Sequence, residues 1–327
     1  ACSTPAPPPP PPPPPAPPAP AGFALSTAVV QDAAVYRDYM TRAAAINPAF
    51  TSGADVAQSL SQGESISPGQ LLRGEVAFAA IAALQDPNFV ANVRAFAADP
   101  AVREQMASTL VSNPGYAVAF KGSDTAAGLA ASAIIAQGRR LYDDGRSVKQ
   151  AAYDVQAQSW SKSAVEDRSQ RLANAKNVSV INAAAAMDEV ANLHAAAIGQ
   201  SQMPLHAPAA TPPYSPVIVR GLAVAALAAL GEAGDENLVT MAPLFQDAPT
   251  ATCLNTAKLN LYQCLAVARP HYEDIFCLGQ HVMMDTAQCV MIAAGAPAPA
   301  FAPPPLPVVT PVSTPKRPKP VRHRRPS

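Results

Sequence analysis

Cys253, Cys264, Cys277 and Cys289 fall within 37 consecutive residues of a 327-residue chain whose remaining cysteine is Cys2. Cysteines gathered this closely do one of two things: they pair as disulfides, or they offer thiolates to a soft metal. The spacings between neighbours are 11, 13 and 12. None has the tight CxxC form that structural zinc sites favour. Pairing therefore has the stronger claim. The metal alternative is Cys277 with His281, four residues on along one helix face, and His271 nearby, a set whose soft donors suit copper or zinc. Met283, Met284 and Met291 lie close by in sequence, although methionine is also ordinary core filling. No cofactor is expected on the disulfide reading.

Two elements must position these sulfurs. Thr252 to Ala268 and His271 to about Ala294 read as helical stretches that flank a break at Pro270. Folded antiparallel about Pro270, facing residues have a nearly constant sum of residue numbers. Cys253–Cys289 and Cys264–Cys277 satisfy that rule to within one residue. The two rungs would stand at matching heights, about 17 and 18 Å apart, for a rise of 1.5 Å per residue. Phase is the difficulty. Eleven residues return to the same helix face within about 20°, whereas twelve miss it by roughly 120°. The second arm must therefore twist or break, at Gly279 or at Asp285-Thr286. Four cysteines allow three pairings, and sequence alone leaves the choice among them open. Residues 251–291 resemble the twin-cysteine hairpins of the coiled-coil-helix-coiled-coil-helix family, but depart from that family's nine-residue gap, with ten and eleven residues inside the arms.

The rest of the chain reads as all-α, a multi-helix bundle of short helices. Apolar residues make up 49% and aromatics only 6%, so alanine carries the hydrophobicity. Alanine loses no side-chain entropy in a helix, and alternating Val/Ile/Thr runs are almost absent. Helix starts are marked by Asp86-Pro87, Asp99-Pro100 and Asn113-Pro114, an N-cap followed by proline at the first helical position. Amphipathic stretches run over Val29–Ile46 and Gln70–Leu84. A longer one runs from Thr125 to Lys176, with an expected break at Asp143-Asp144-Gly145. Met203-Pro204 through Pro213 reads as a linker, so the body divides into an N-terminal helical domain, 23–205, and a C-terminal helical region, 206–295. No window offers ~18 uninterrupted apolar residues, the length a membrane-spanning helix needs. Val217 to Leu230 is too short and contains Arg220.

The flanks differ from the body. Thirteen of the 37 prolines lie in residues 1–20 and eleven in 297–327. Proline lacks an N–H and fixes φ, so residues 1–22 and 296–327 are expected to be disordered or polyproline II. Ala1-Cys2-Ser3 ahead of the proline-rich stretch resembles the cleavage junction of bacterial lipoproteins. That resemblance implies a removed signal peptide, a mature N-terminus at Cys2 carrying acyl chains, and a place in the outer membrane facing the periplasm. The tether from Pro5 to Ala21 would span roughly 50 Å at ~3.1 Å per residue. The oxidising periplasm suits disulfides, and Cys2 is the odd cysteine left for lipid.

Net charge is zero, yet Lys316, Arg317, Lys319, Arg322, Arg324 and Arg325 place six cations in the last dozen residues. The remaining 17 basic residues face 23 acidic ones, so the body is mildly acidic and nucleic acid is not an expected partner. The basic tail suits an anionic envelope polymer or lipid headgroup, at ~1 kcal/mol per cation near such a surface. No GxSxG, HExxH, phosphate-binding loop or dinucleotide fingerprint occurs. Gln62-Gly63-Glu64-Ser65 resembles the Glu-Ser opening of the lytic transglycosylase motif. There Glu64 would be a general acid toward a glycan bond, but Pro68-Gly69-Gln70-Leu71-Leu72 replaces the Gly-Leu-Met-Gln continuation. The reading that emerges is a non-enzymatic envelope lipoprotein, a structural or interaction module, with a peptidoglycan-active enzyme and a periplasmic copper or zinc protein as alternatives.

Overall fold

The computed structural model describes residues 22–297. Cys2, the N-terminal tether and the six cations of the basic tail lie outside them. Fourteen α-helical segments follow one another: α1 (Thr27–Ala44), α2 (Gly53–Glu64), α3 (Pro68–Ala83), α4 (Pro87–Arg94), α5 (Pro100–Ser112), α6 (Ser123–Asp154), α7 (Ser159–Lys162), α8 (Arg168–Val178), α9 (Met187–Ala197), α10 (Pro216–Leu230), α11 (Leu238–Met241), α12 (Ala248–Val267), α13 (His271–Cys277) and α14 (Thr286–Ala293). The described residues contain no strand, and their β pairing is limited to two isolated bridges, Leu25 with Ala233 and Ala164 with Pro270. All-α is the fold class.

Local chemistry sets most helix starts. The side chains of Ser26, Ser52, Ser67, Asp86, Asp99, Asp167 and Asp247 each accept a hydrogen bond from a backbone N–H in the first turn they precede. Each cap satisfies a donor that the helix cannot satisfy itself. Two of the three Asp/Asn-Pro starts behave this way. Asn113 makes no side-chain cap bond, and Pro114–Ala119 winds as a 3-10 turn.

The core is built on α3 and α10, two alanine-rich helices that are buried over nearly their whole length. Their backbones come close enough that a Cβ on Gly221 would stand 2.6 Å from that of Ala79. α1 and α6 pack on α3 as well. One hydrophobic cluster runs from Leu25 to Ala294 and takes side chains from both sides of residue 205. The linker lies against the body. The Ala210 N–H donates to the Asp124 carbonyl at 2.9 Å, the Met203 N–H to Gln85 Oε1 at 3.0 Å, and the Pro208 carbonyl fills the space over Gly128.

One expectation is corrected. The long helix does not break at Asp143-Asp144-Gly145; α6 continues to Asp154. Gly145 serves packing, since a Cβ there would come within 2.8 Å of the Met283 Cβ and 2.9 Å of the Met284 Cγ. Asp143 and Asp144 are held on the helix surface beside Arg146 and Arg140. The chain turns out of helix only later, at the 3-10 turn Val155–Ala157 and before α8.

By length and composition His271–Ala293 forms a helical rod of 23 residues apolar enough to cross a membrane. It does so although Asp285 interrupts its apolar run, because the hydropathy averaged over 18 residues remains high. Most of the rod is covered by the protein itself, 61% of its apolar window being buried, so it is a core helix of this fold.

Candidate functional site

The hairpin assembles as its spacing suggests. α12 and the rod formed by α13, the π-helical turn Leu278–Asp285 and α14 lie against each other across Pro270. They are joined by Cys253–Cys289 and Cys264–Cys277, with Cα separations of 5.7 and 5.8 Å. The phase problem is solved inside the second arm. A π-type turn, bonded i to i+5, takes up about one residue more than an α-helix over the same rotation. Twelve residues then wind about as far as eleven do in α12, leaving both arms roughly 20° from perfect register. The twist lies where it was expected, the π turn running through Gly279 and ending at Asp285, but no cap at Asp285-Thr286 is used. The Asp285 side chain makes no cap bond, and it accepts from Gln280 and meets His281 at 2.8 Å instead. The twelve-residue interval was itself the signal for the π turn.

What holds the π segment is α6. A Cβ on Gly279 would come within 2.5 Å of the Lys149 backbone nitrogen and 2.9 Å of the Gly145 carbonyl oxygen, so the two backbones meet there directly. Lys149 Nζ donates to Gln280 Oε1 at 2.7 Å and lies 5.0 Å over the Phe276 ring. The free carbonyls at the end of α12 are also occupied. Arg168 donates to Ala266 and Ala268, and Arg171 to Leu265 and Ala268. Two guanidinium groups thus sit at the negative end of the helix. Arg171 also pairs with the buried Asp274 at 2.5 Å. Burial outweighs the arginine, and the Asp274 carboxyl is pushed up to about 6.

The other predicted groups are structural in placement. Glu64 is fully buried and ion-paired to Lys258 of α12 at 3.0 Å. Burial pushes its carboxyl above the ordinary range, against the pull of the lysine. The carboxyl has no exposed surface, and its geometry is that of a clamp between α2 and the hairpin. Nor do the metal candidates converge. The Cys277 sulfur is bonded to Cys264 and offers no thiolate. His281 is held by Asp285 on the π turn, and His271 lies over Gly53 at the start of α2. Burial first, then Arg171, keep the His271 imidazole below its usual value. Among the described residues no group of three His, Cys, Asp or Glu is placed to hold a metal ion. His194 is exposed on α9, and Trp160 is half-buried, its ring 6.4 Å from that of His271.

Two features were not legible beforehand. Glu75 of α3 is wholly buried with neither carboxyl oxygen hydrogen-bonded, and burial, reinforced by Asp247, drives it well above the carboxylate range. Burial without a hydrogen-bonding partner favours the neutral form of such a carboxyl. A cavity of about 650 Å³ opens between α1, α3 and the start of α12, walled by Val29, Leu72, Leu238 and Phe245, with the Asp32–Arg73 pair beside it. Its mainly apolar lining with a few polar groups is typical of small-molecule sites.

Comparison with known families, with characterised proteins and with solved structures returns no match to this chain.

Proposed function

We propose that the chain is a non-enzymatic lipoprotein of the bacterial cell envelope, anchored in the outer membrane through acyl chains on Cys2. Its helical body acts as a structural or interaction module in the periplasm. The observation that carries this reading is the division of labour among five cysteines. Four are joined in two nested disulfides within the hairpin, which oxidising compartments sustain. The fifth stands in an Ala1-Cys2-Ser3 junction followed by a proline-rich stretch of tether length. The basic residues Lys316 to Arg325 suit an anionic polymer or headgroup at the other end of the chain. The burial of Glu64 and the oxidation of Cys277 argue for this reading over glycan cleavage and over soft-metal binding.

The test is the intact mass of protein taken from its native membranes, before and after reduction. An acyl increment on a chain beginning at Cys2, with a gain of about 4 Da on reduction for two disulfides, is the expected result. An unacylated chain with five free thiols would overturn both anchor and compartment.

A further inference from the structure

At the tip of the hairpin the Cys264–Cys277 disulfide forms the floor of a groove of about 330 Å³. Its walls are aromatic and apolar: Tyr153 from the end of α6, Tyr272 and Phe276 from α13, and Val267 from α12. Tyr153 is 50% exposed and Val267 74% exposed, unusual for side chains of this kind. The Tyr153 and Phe276 rings stand nearly perpendicular, at 87°, with centroids 6.3 Å apart. The groove continues past Pro270 into a second hollow that shares Tyr272 and Gln156. Among the described residues the Tyr153 and Tyr272 hydroxyls and the Gln156 amide make no hydrogen bond, so three donors border an apolar trough. That combination matches one kind of ligand. A polyproline II strand has no internal hydrogen bonds and presents its carbonyls outward, and aromatic-lined grooves bind such strands at low entropic cost.

The chain carries such a strand at a matching distance. The described residues end at 297, where the Ala296 N–H donates to the Met291 carbonyl at 2.9 Å. Met291 packs on Gly138 of α6, and Tyr153 lies fifteen residues further along the same helix, about 22 Å away at 1.5 Å per residue. Residues 303–307, Pro-Pro-Pro-Leu-Pro, begin six and end ten residues beyond 297. At ~3.1 Å per residue they reach about 19 to 31 Å from that point. The N-terminal proline segment joins elsewhere, since the Ala24 N–H donates to the Ala228 carbonyl at the far end of α10.

We infer that Pro303–Pro307 docks in its own molecule as a polyproline II strand in the groove between Tyr153, Tyr272 and Phe276, over the Cys264–Cys277 disulfide. Docking there seats the cations that begin at Lys316 beyond the hairpin tip.

Two measurements on the full oxidised chain test this. With a photoreactive benzophenone side chain in place of Val267, irradiation should cross-link residues 303–307 within the monomer. Cross-links to residues 5–20, to a second molecule, or to nothing overturn the inference. Separately, the combined variant Pro303→Gly, Pro304→Gly, Pro305→Gly, Leu306→Asp changes residues outside the described ones. It should speed dithiothreitol reduction of Cys264–Cys277 by about threefold or more, as expected when a mostly docked tail is released, while Cys253–Cys289 reacts at its original rate. Equal rates at both bonds before and after the change also overturn it.

Discussion

Removing each disulfide in turn should destabilise the protein unequally, with the outer bond worth more. The perturbation is Cys253→Ala with Cys289→Ala, compared with Cys264→Ala with Cys277→Ala. Alanine avoids placing a lone hydroxyl where Cys277 and Cys289 are buried. Cys253–Cys289 closes a sequence separation of 36 and Cys264–Cys277 one of 13. Chain-entropy bookkeeping then assigns about 3.8 and 2.9 kcal/mol respectively, and about 3.4 for the outer bond when the inner one already shortens its loop. From the intact protein, removing the outer bond therefore costs about 3.4 kcal/mol, removing the inner about 2.5, and removing both about 6.3, more than the two single losses together. The assay is equilibrium unfolding in urea, where 3 kcal/mol lowers the midpoint by about 1 M at a slope near 3 kcal/mol per molar. The slope should also rise in each variant, because an uncross-linked unfolded chain exposes more surface. A larger loss for the inner pair, or losses below about 1 kcal/mol for both, would refute the loop-closure reasoning and place the bonds' effect in the native state.

Lys258→Met should cost about 3–5 kcal/mol, because it leaves Glu64 buried without its partner. The loss should shrink as the pH falls and Glu64 takes up a proton, and Glu64→Gln added to Lys258→Met should restore much of it in a thermal melt. Gly279→Ala sets a Cβ against the Lys149 backbone. It should cost on the order of 1–3 kcal/mol by overpacking, read as a lowered unfolding midpoint, whereas Gly199→Ala at a φ of 74° meets no neighbour and tests backbone strain alone. Burial raises the folded pKa of Asp274 to about 6 from the ordinary carboxyl value of 3.8. Its protonation therefore favours the folded state, an advantage fully present below pH 4 and lost as pH rises through 6. Relative to Asp274→Asn, the unchanged protein should gain up to about 3 kcal/mol between pH 7 and pH 4; a pH-independent gap between the two would contradict the assignment.

Much of the fold is readable in local chemistry. Asp86 and Asp99 announce their helices because a cap acts within three residues and needs no tertiary partner. Thr27–Ala44 and Pro68–Ala83 follow the apolar stripe that sequence periodicity displays. The site was less legible. Glu64 looks like a catalytic acid when only its neighbours Gly63 and Ser65 are in view. Its burial depends on Lys258, 194 residues away. The groove at the hairpin tip joins Tyr153 to Tyr272, which no local pattern connects.

The cysteine pairs lie at the boundary between the two kinds of information. Spacing and a proline turn favour their nesting, but three pairings were open until the structure joined Cys253 to Cys289 and Cys264 to Cys277. How the twelve-residue arm recovers its phase was decided elsewhere. Gly145 and Gly279 allow α6 to approach the π turn backbone to backbone, and Lys149 meets Gln280 across the contact. The same contact turned Asp143-Asp144-Gly145 from an apparent helix break into continuous helix, because a glycine reads alike whether it ends a helix or makes room for another. Residue order specifies helix starts and helix faces, which are short-range quantities. Which polar groups become buried, and where a helix must overwind or unwind, depends on what packs from a hundred residues away.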